Sequence, residues 1–230
     1  YLNDNKEMEG YYVDGRKNGT WTWWFEDGIK QSEGNYIEDE QNGPWVYFSA
    51  DGSIAEEITF SRGKRDGRST LWLTPEEKEE EKFFKNGKLD GPSTFWNNGF
   101  RKTMTTYKSD SPEGPWVIWY SDSDQMKEQG FHQEGIREGL TTYYYEEGTM
   151  QREGFFKEGL PDGIWTYWNS KGEKDFDFDF GTGLQHIELE DLAERESIFY
   201  KIGDERPFTG IITQENPEAD YLFLVNEFYF

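Results

Sequence analysis

The chain contains no cysteine, so a disulfide framework and thiolate metal ligation are both excluded, and no redox compartment is preferred. Histidine is nearly absent. His132 and His186 stand alone, too few and too far apart to suggest a triad or a zinc site. No apolar run is long enough to cross a bilayer as a helix. No leader is visible, and the sequence opens at Tyr1, which is compatible with a trimmed precursor. Basic residues are scarce: 24 against 47 acidic ones, for a net charge of −23. A field of that sign repels nucleic acid and anionic lipid, so neither is expected as a partner. Phosphate-loop and nucleophile-elbow motifs are also missing. The absences leave little room for common catalytic chemistry, and no cofactor is expected.

What is present is glycine and aromatic residues in strict order. Gly19 opens the stretch Gly-Thr-Trp-Thr-Trp-Trp-Phe-Glu-Asp-Gly. Similar stretches open at Gly43, Gly67, Gly91, Gly114, Gly139 and Gly163, in steps of 24, 24, 24, 23, 25 and 24 residues. Such a period is the mark of a repeat array. The third residue after each glycine is Thr or Val. The fifth is a ring in every copy: Trp24, Phe48, Trp72, Trp96, Trp119, Tyr144 and Trp168. These are strand formers, and in a strand the second and fourth residues share one face while the third and fifth share the other. A glycine-marked turn follows, as in Glu26-Asp27-Gly28, and then a second strand ending on a ring such as Tyr36 or Phe60. A second turn, as in Asp14 to Gly19, leads into the next copy. Each unit is a β-hairpin that buries its rings only beside its neighbours. The expected fold is therefore all-β: an elongated, single-layer antiparallel sheet of stacked hairpins, roughly 65 Å long at the usual strand spacing.

Two places break the rhythm. The third hairpin turn has no glycine and reads Thr74-Pro75-Glu76-Glu77-Lys78-Glu79-Glu80-Glu81, and one linker reads Ser109-Asp110-Ser111-Pro112-Glu113. Both are expected to point at water, with a partner contact as the alternative. After Gly172, Asp175 to Phe180 alternates cleanly and reads as a half-buried strand. Its three aspartates share one face, which suits a solvated acidic surface better than a calcium site. Gly181-Thr182-Gly183 reads as a hinge, and residues 188–196 are charged and helix-tolerant. Short strands are expected at Ile198-Phe199-Tyr200, after a turn within Arg206 to Ile212, and as a closing strand over Tyr221 to Phe230. We divide the chain into a repeat array, 1–180, and a small irregular segment, 181–230, that caps the array or forms a degenerate repeat.

The pattern resembles MORN repeats, in particular the variant found in bacterial antitoxin-like proteins of the YwqK type. It is carried by Tyr12, Gly15, Gly19, Trp21, Trp24 and Gly28 and by their counterparts through Trp168 and Gly172. The resemblance implies a non-enzymatic scaffold for protein–protein interaction within a larger assembly, and transfers no catalytic, cofactor or metal-binding residue. It also favours the bacterial cell envelope, periplasmic or outer-membrane associated without insertion in the membrane, over the cytoplasm. A carbohydrate- or choline-binding wall module is the principal alternative, since ring cages bind quaternary ammonium and ring faces stack on sugars. A hydrolase using paired carboxylates is a distant third.

Candidate partner-binding residues come from the second position, which varies among copies: Trp21, Trp45, Ser69, Ser93, Trp116, Thr141 and Trp165. Variation suggests looser packing, so Trp21, Trp45, Trp116 and Trp165 are the rings to test, with burial in the core as the alternative for each. The fifth position, a ring throughout, is expected to form the obligatory ladder.

Overall fold

The computed structural model describes residues 4–181 in full and, beyond them, the backbone of strands at 184–188, 192–195, 198–201, 210–213 and 223–225. Among the described residues every regular element is a β-strand. The chain forms two compact units that divide within one strand, β11 (Met126–Gln133): residues up to Asp124 with His132–Gly135 make the first, and Gln125–Phe131 with everything from Ile136 onward make the second.

The first unit is an antiparallel sheet in which each strand pairs with the next. Its strands are β1 (Met8–Val13), β2 (Arg16–Trp24), β3 (Lys30–Ile37), β4 (Glu40–Phe48), β5 (Ile54–Ser61), β6 (Lys64–Trp72), β7 (Lys78–Lys85), β8 (Lys88–Asn97), β9 (Phe100–Lys108) and β10 (Ser111–Trp119). The second unit repeats the pattern through β12 (Ile136–Tyr144), β13 (Met150–Lys157), β14 (Leu160–Trp168) and β15 (Lys174–Asp179).

The second turn of each repeat is shorter than the sequence suggests. Asp14 and Gly15 both have positive φ, 50° and 78°, and the strand resumes at Arg16. This two-residue turn matches the twist of a hairpin. The opening glycine is not a turn residue: Gly19 lies inside β2, where the register against β1 slips between Glu9 and Tyr11. Its φ of 67° is that of a bulge, a conformation a β-branched residue resists. The turns also bind the repeats together. Asp39 N–H donates to the Lys17 carbonyl at 3.0 Å while the Asp39 carboxylate accepts from Lys17 N–H at 2.7 Å. Asp110 does the same with Leu89, and the Glu113 carboxylate accepts from Glu134 N–H at 2.8 Å. The 109–113 linker therefore braces its neighbours. The glycine-free turn after β6 closes like the others, with Leu73 N–H on the Glu77 carbonyl at 2.9 Å.

β15 falls where alternation places it. Beyond it the pattern changes. β16 (Leu184–Glu188) pairs antiparallel with β15 but parallel with β19 (Gly210–Thr213), within the segment expected to be irregular. β19 pairs with β20 (Phe223–Val225). β17 (Leu192–Arg195) and β18 (Ile198–Lys201) form a separate hairpin. The helix-tolerant reading of 188–196 is thus corrected at Leu192–Arg195: pairing with an apolar, β-forming strand overrides a weak local preference. Thr182 and Gly183 of the expected hinge, like residues 202–209 and 214–222, lie outside the described residues.

Candidate interaction surfaces

The second- and fourth-position residues do share a face, which we call the ring face. Trp21 and Trp23 stack at 5.8 Å, and so do Trp45 and Tyr47 at 6.0 Å. Within the first unit, rings continue from repeat to repeat: Trp23 to Trp45 at 5.6 Å, Tyr36 edge-on to Trp45 at 5.1 Å, and Trp45 to Phe60 at 6.2 Å. In the second unit Trp165 meets Phe156 and Phe180 edge-on. Edge-to-face pairs of this kind add to the burial of area alone.

The four candidate tryptophans lie at the bottom of this face. Trp21, Trp45 and Trp165 are 2% exposed and Trp116 is 3% exposed. Three of them donate the indole N–H to a backbone carbonyl ten residues earlier: Trp21 to Tyr11, Trp45 to Asn35 and Trp165 to Phe155. They are core rings, with almost no surface left to meet another molecule. The looser packing inferred from variation is therefore corrected. Variation at the second position is compensated across the strand pair. Trp45 lies opposite Gly34, and a Cβ built there would fall inside the indole; Gly10 beneath Trp21 and Gly154 beneath Trp165 are the same. In two of the three copies with a small second position the partner is larger, Ser69 facing Ile58 and Ser93 facing Lys82, whereas Thr141 faces Gly154. For Trp21, Trp45 and Trp165 the signal was in the sequence, a glycine eleven residues upstream; Trp116 has Thr105 there.

The opposite face carries the third and fifth positions and a row of carboxylates. Glu33 lies between Thr22 and Val46, Glu57 between Val46 and Thr70, and Glu81 between Thr70 and Thr94. In the second unit Glu153 lies between Thr142 and Thr166, followed by Asp177. Thr22 and Thr142 donate to their glutamates at 3.1 and 2.9 Å. The fifth-position rings are mostly half-buried here, not an obligatory core; Trp119, 8% exposed, is the buried exception. Lysines complete the row: Lys30 pairs with Glu33 at 2.7 Å, and Lys78 pairs with Glu81 at 2.8 Å while standing 5.8 and 5.5 Å from the Trp72 and Trp96 rings. The Glu33 carboxyl is lowered from its ordinary value, chiefly by the hydrogen bond from Lys30, which outweighs the opposing effect of burial, and to a lesser degree by the hydrogen bond from Thr22. Asp175, Asp177 and Asp179 lie along β15, with Asp177 paired to Lys174 at 2.9 Å. Among the described residues no cluster of histidine, aspartate or glutamate converges as a metal would require.

His132 packs on Trp116 at 5.6 Å between ring centres, the aromatic role its slot implies. His186 stands in register with Asp177 on the backbone of β16. One ring cage exists on the ring face: Lys17 Nζ stands 4.7, 5.3 and 5.1 Å from the centres of Trp21, Trp23 and Tyr36. Arg152 covers Tyr143 at 4.0 Å in the same manner. The cations that these rings attract belong to the chain itself.

Compared with known families, the chain matches the MORN repeat variant at residues 17–38 and 137–158. One match lies in each compact unit, and each covers a hairpin: the strand after the opening two-residue turn, the five-residue turn at 25–29 or 145–149, and the strand that follows. Comparison with curated proteins gives no match.

Proposed function

We propose that the chain is a non-enzymatic repeat scaffold that mediates protein–protein interaction within a larger assembly. The observation that carries this reading is the division of labour between the faces. Rings, glycines and indole hydrogen bonds close the ring face into a core, while the opposite face presents half-exposed rings, carboxylates and lysines at a fixed period. A regular, accessible sheet surface suits a macromolecular partner. The MORN repeat variant is commonly an interaction module, which agrees with this reading. Its finer form, a bacterial protein of the YwqK antitoxin-like type acting at the cell envelope, belongs to the same proposal. The choline- or sugar-binding alternative loses ground to Lys17, which fills the cage that an external ammonium would need. Purification of the tagged chain from its native source tests the proposal. A stable complex with a defined protein is expected; saturable quenching of tryptophan fluorescence by choline or a wall glycan, with no protein recovered, would replace it.

A further inference from the structure

The accessible face of the first unit contains one area whose charge runs against the rest of the molecule. Lys64 and Arg68 on β6, Lys85 at the end of β7 and Lys88 at the start of β8 are all exposed. Register places them on the carboxylate-bearing face: Ser61 opposes Lys64, Phe83 opposes Arg68, and Lys85 lies directly opposite Lys88. The β7–β8 turn brings Gly87 against Lys64, so the four form a strip across three strands, about 10 Å wide at the usual strand spacing. Four lysines elsewhere on this face are neutralised, Lys6 by Glu9, Lys30 by Glu33, Lys78 by Glu81 and Lys174 by Asp177, whereas Lys108 and Lys157 stand singly. The four strip cations make no such pair among the described residues. Asp66, two residues from both Lys64 and Arg68, accepts the turn N–H of Asn86 at 3.0 Å, and Asp110 accepts the N–H of Leu89, next to Lys88. Two like charges directly opposite on neighbouring strands destabilise a sheet. A chain with 47 acidic residues thus leaves a repelling pair unneutralised at one place.

We propose that this strip docks an extended acidic segment of a protein partner, whose carboxylates supply the missing counter-charges. The proposal rests on the scaffold reading and names the chemistry of one partner. A narrow segment fits better than an anionic membrane. In sequence the strip is bounded by Glu38-Asp39-Glu40 on one side and Asp110 with Glu113 on the other, and the whole chain carries −23. A broad anionic surface would meet those carboxylates as well, whereas a single chain would meet only the strip, because screening confines each charge to about 10 Å.

The test uses the full chain and a fluorescein-labelled peptide of alternating glutamate and serine. At low salt, about 50 mM, polarisation should rise saturably, and at about 200 mM the affinity should fall at least tenfold. Lys64→Gln/Lys85→Gln/Lys88→Gln should weaken binding about tenfold while melting no lower than the parent, since it removes a repulsion. Lys30→Gln, which removes an equal charge from a neutralised site, should bind within about twofold of the parent. The absence of saturable binding, an equal loss in Lys30→Gln, or lysine-dependent sedimentation with phosphatidylserine vesicles without peptide binding would each overturn the proposal. A native protein complex that forms equally well with the triple variant would leave the scaffold intact and remove the strip.

Discussion

Two rows of tryptophan run through this molecule, and they invert the usual expectation about repeats. The fifth position is a ring in all seven copies, yet Trp24, Trp72, Trp96 and Trp168 are only half-buried. The second position is Trp in four copies and Ser or Thr in three, yet its tryptophans are the most buried rings of the described chain. The difference lies in what stands across the strand. Three of the four second-position indoles lie on glycine, and the fourth, Trp116, lies opposite Thr105. A fifth-position ring lies among lysine and glutamate stems at a surface that tolerates any flat, amphipathic group. Uniformity marks a common environment, and only the cross-strand partner tells how deep that environment is.

The largest effect should come from emptying the deep row. Trp45→Ala or Trp165→Ala should cost about 3–5 kcal/mol, and Trp24→Ala or Trp72→Ala clearly less, as measured by denaturant midpoints. Filling the space under the deep row comes next. Gly34→Ala places a Cβ inside the Trp45 ring and should cost about 1–3 kcal/mol. The double change Gly34→Ile/Trp45→Ser recreates the pairing seen at Ile58 and Ser69, and should be more stable than Gly34→Ile alone. If the double variant is no better, the compensation between the two sites is not the reason for the variation.

Smaller effects concern cations. Lys17→Met keeps the stem but removes the ammonium from its three rings, and should lower the midpoint by the equivalent of about 0.5–2 kcal/mol. Smallest is Glu33. Its folded pKa lies below its unfolded value because Lys30, and then Thr22, donate to the ionised form. Its contribution is therefore complete above the unfolded pKa and is lost as the pH falls through the folded one. Thermal melts of the parent and Glu33→Gln should differ slightly near neutrality and converge as the pH falls through the lowered folded pKa of Glu33. A difference that persists in acid would assign it to packing.

The hairpin period, the strand type and the sharing of faces were legible, because side-chain alternation and glycine spacing are local facts. The depth of each ring was not. It depends on residues eleven positions away that matter only once register is fixed, and register comes from the bulge at the opening glycine. The bracing role of Asp39, Asp110 and Glu113 was equally hidden, since a carboxylate in a turn reads as solvated until a backbone N–H of the neighbouring repeat is placed beside it. The lone basic strip was invisible for a related reason: Lys64, Arg68, Lys85 and Lys88 are scattered in sequence and adjoin only through pairing.

Equilibrium unfolding of Trp116→Ala and Trp96→Ala, measured side by side in the same denaturant, tests the inversion most directly. Both rings belong to the first unit. Trp116 is a second-position indole, 3% exposed, whereas Trp96 is a half-buried ring of the fifth position. Sequence regularity alone predicts the greater loss for Trp96. The cross-strand account predicts it for Trp116, by at least about 1 kcal/mol. Equal midpoints, or a lower one for Trp96→Ala, would contradict the account.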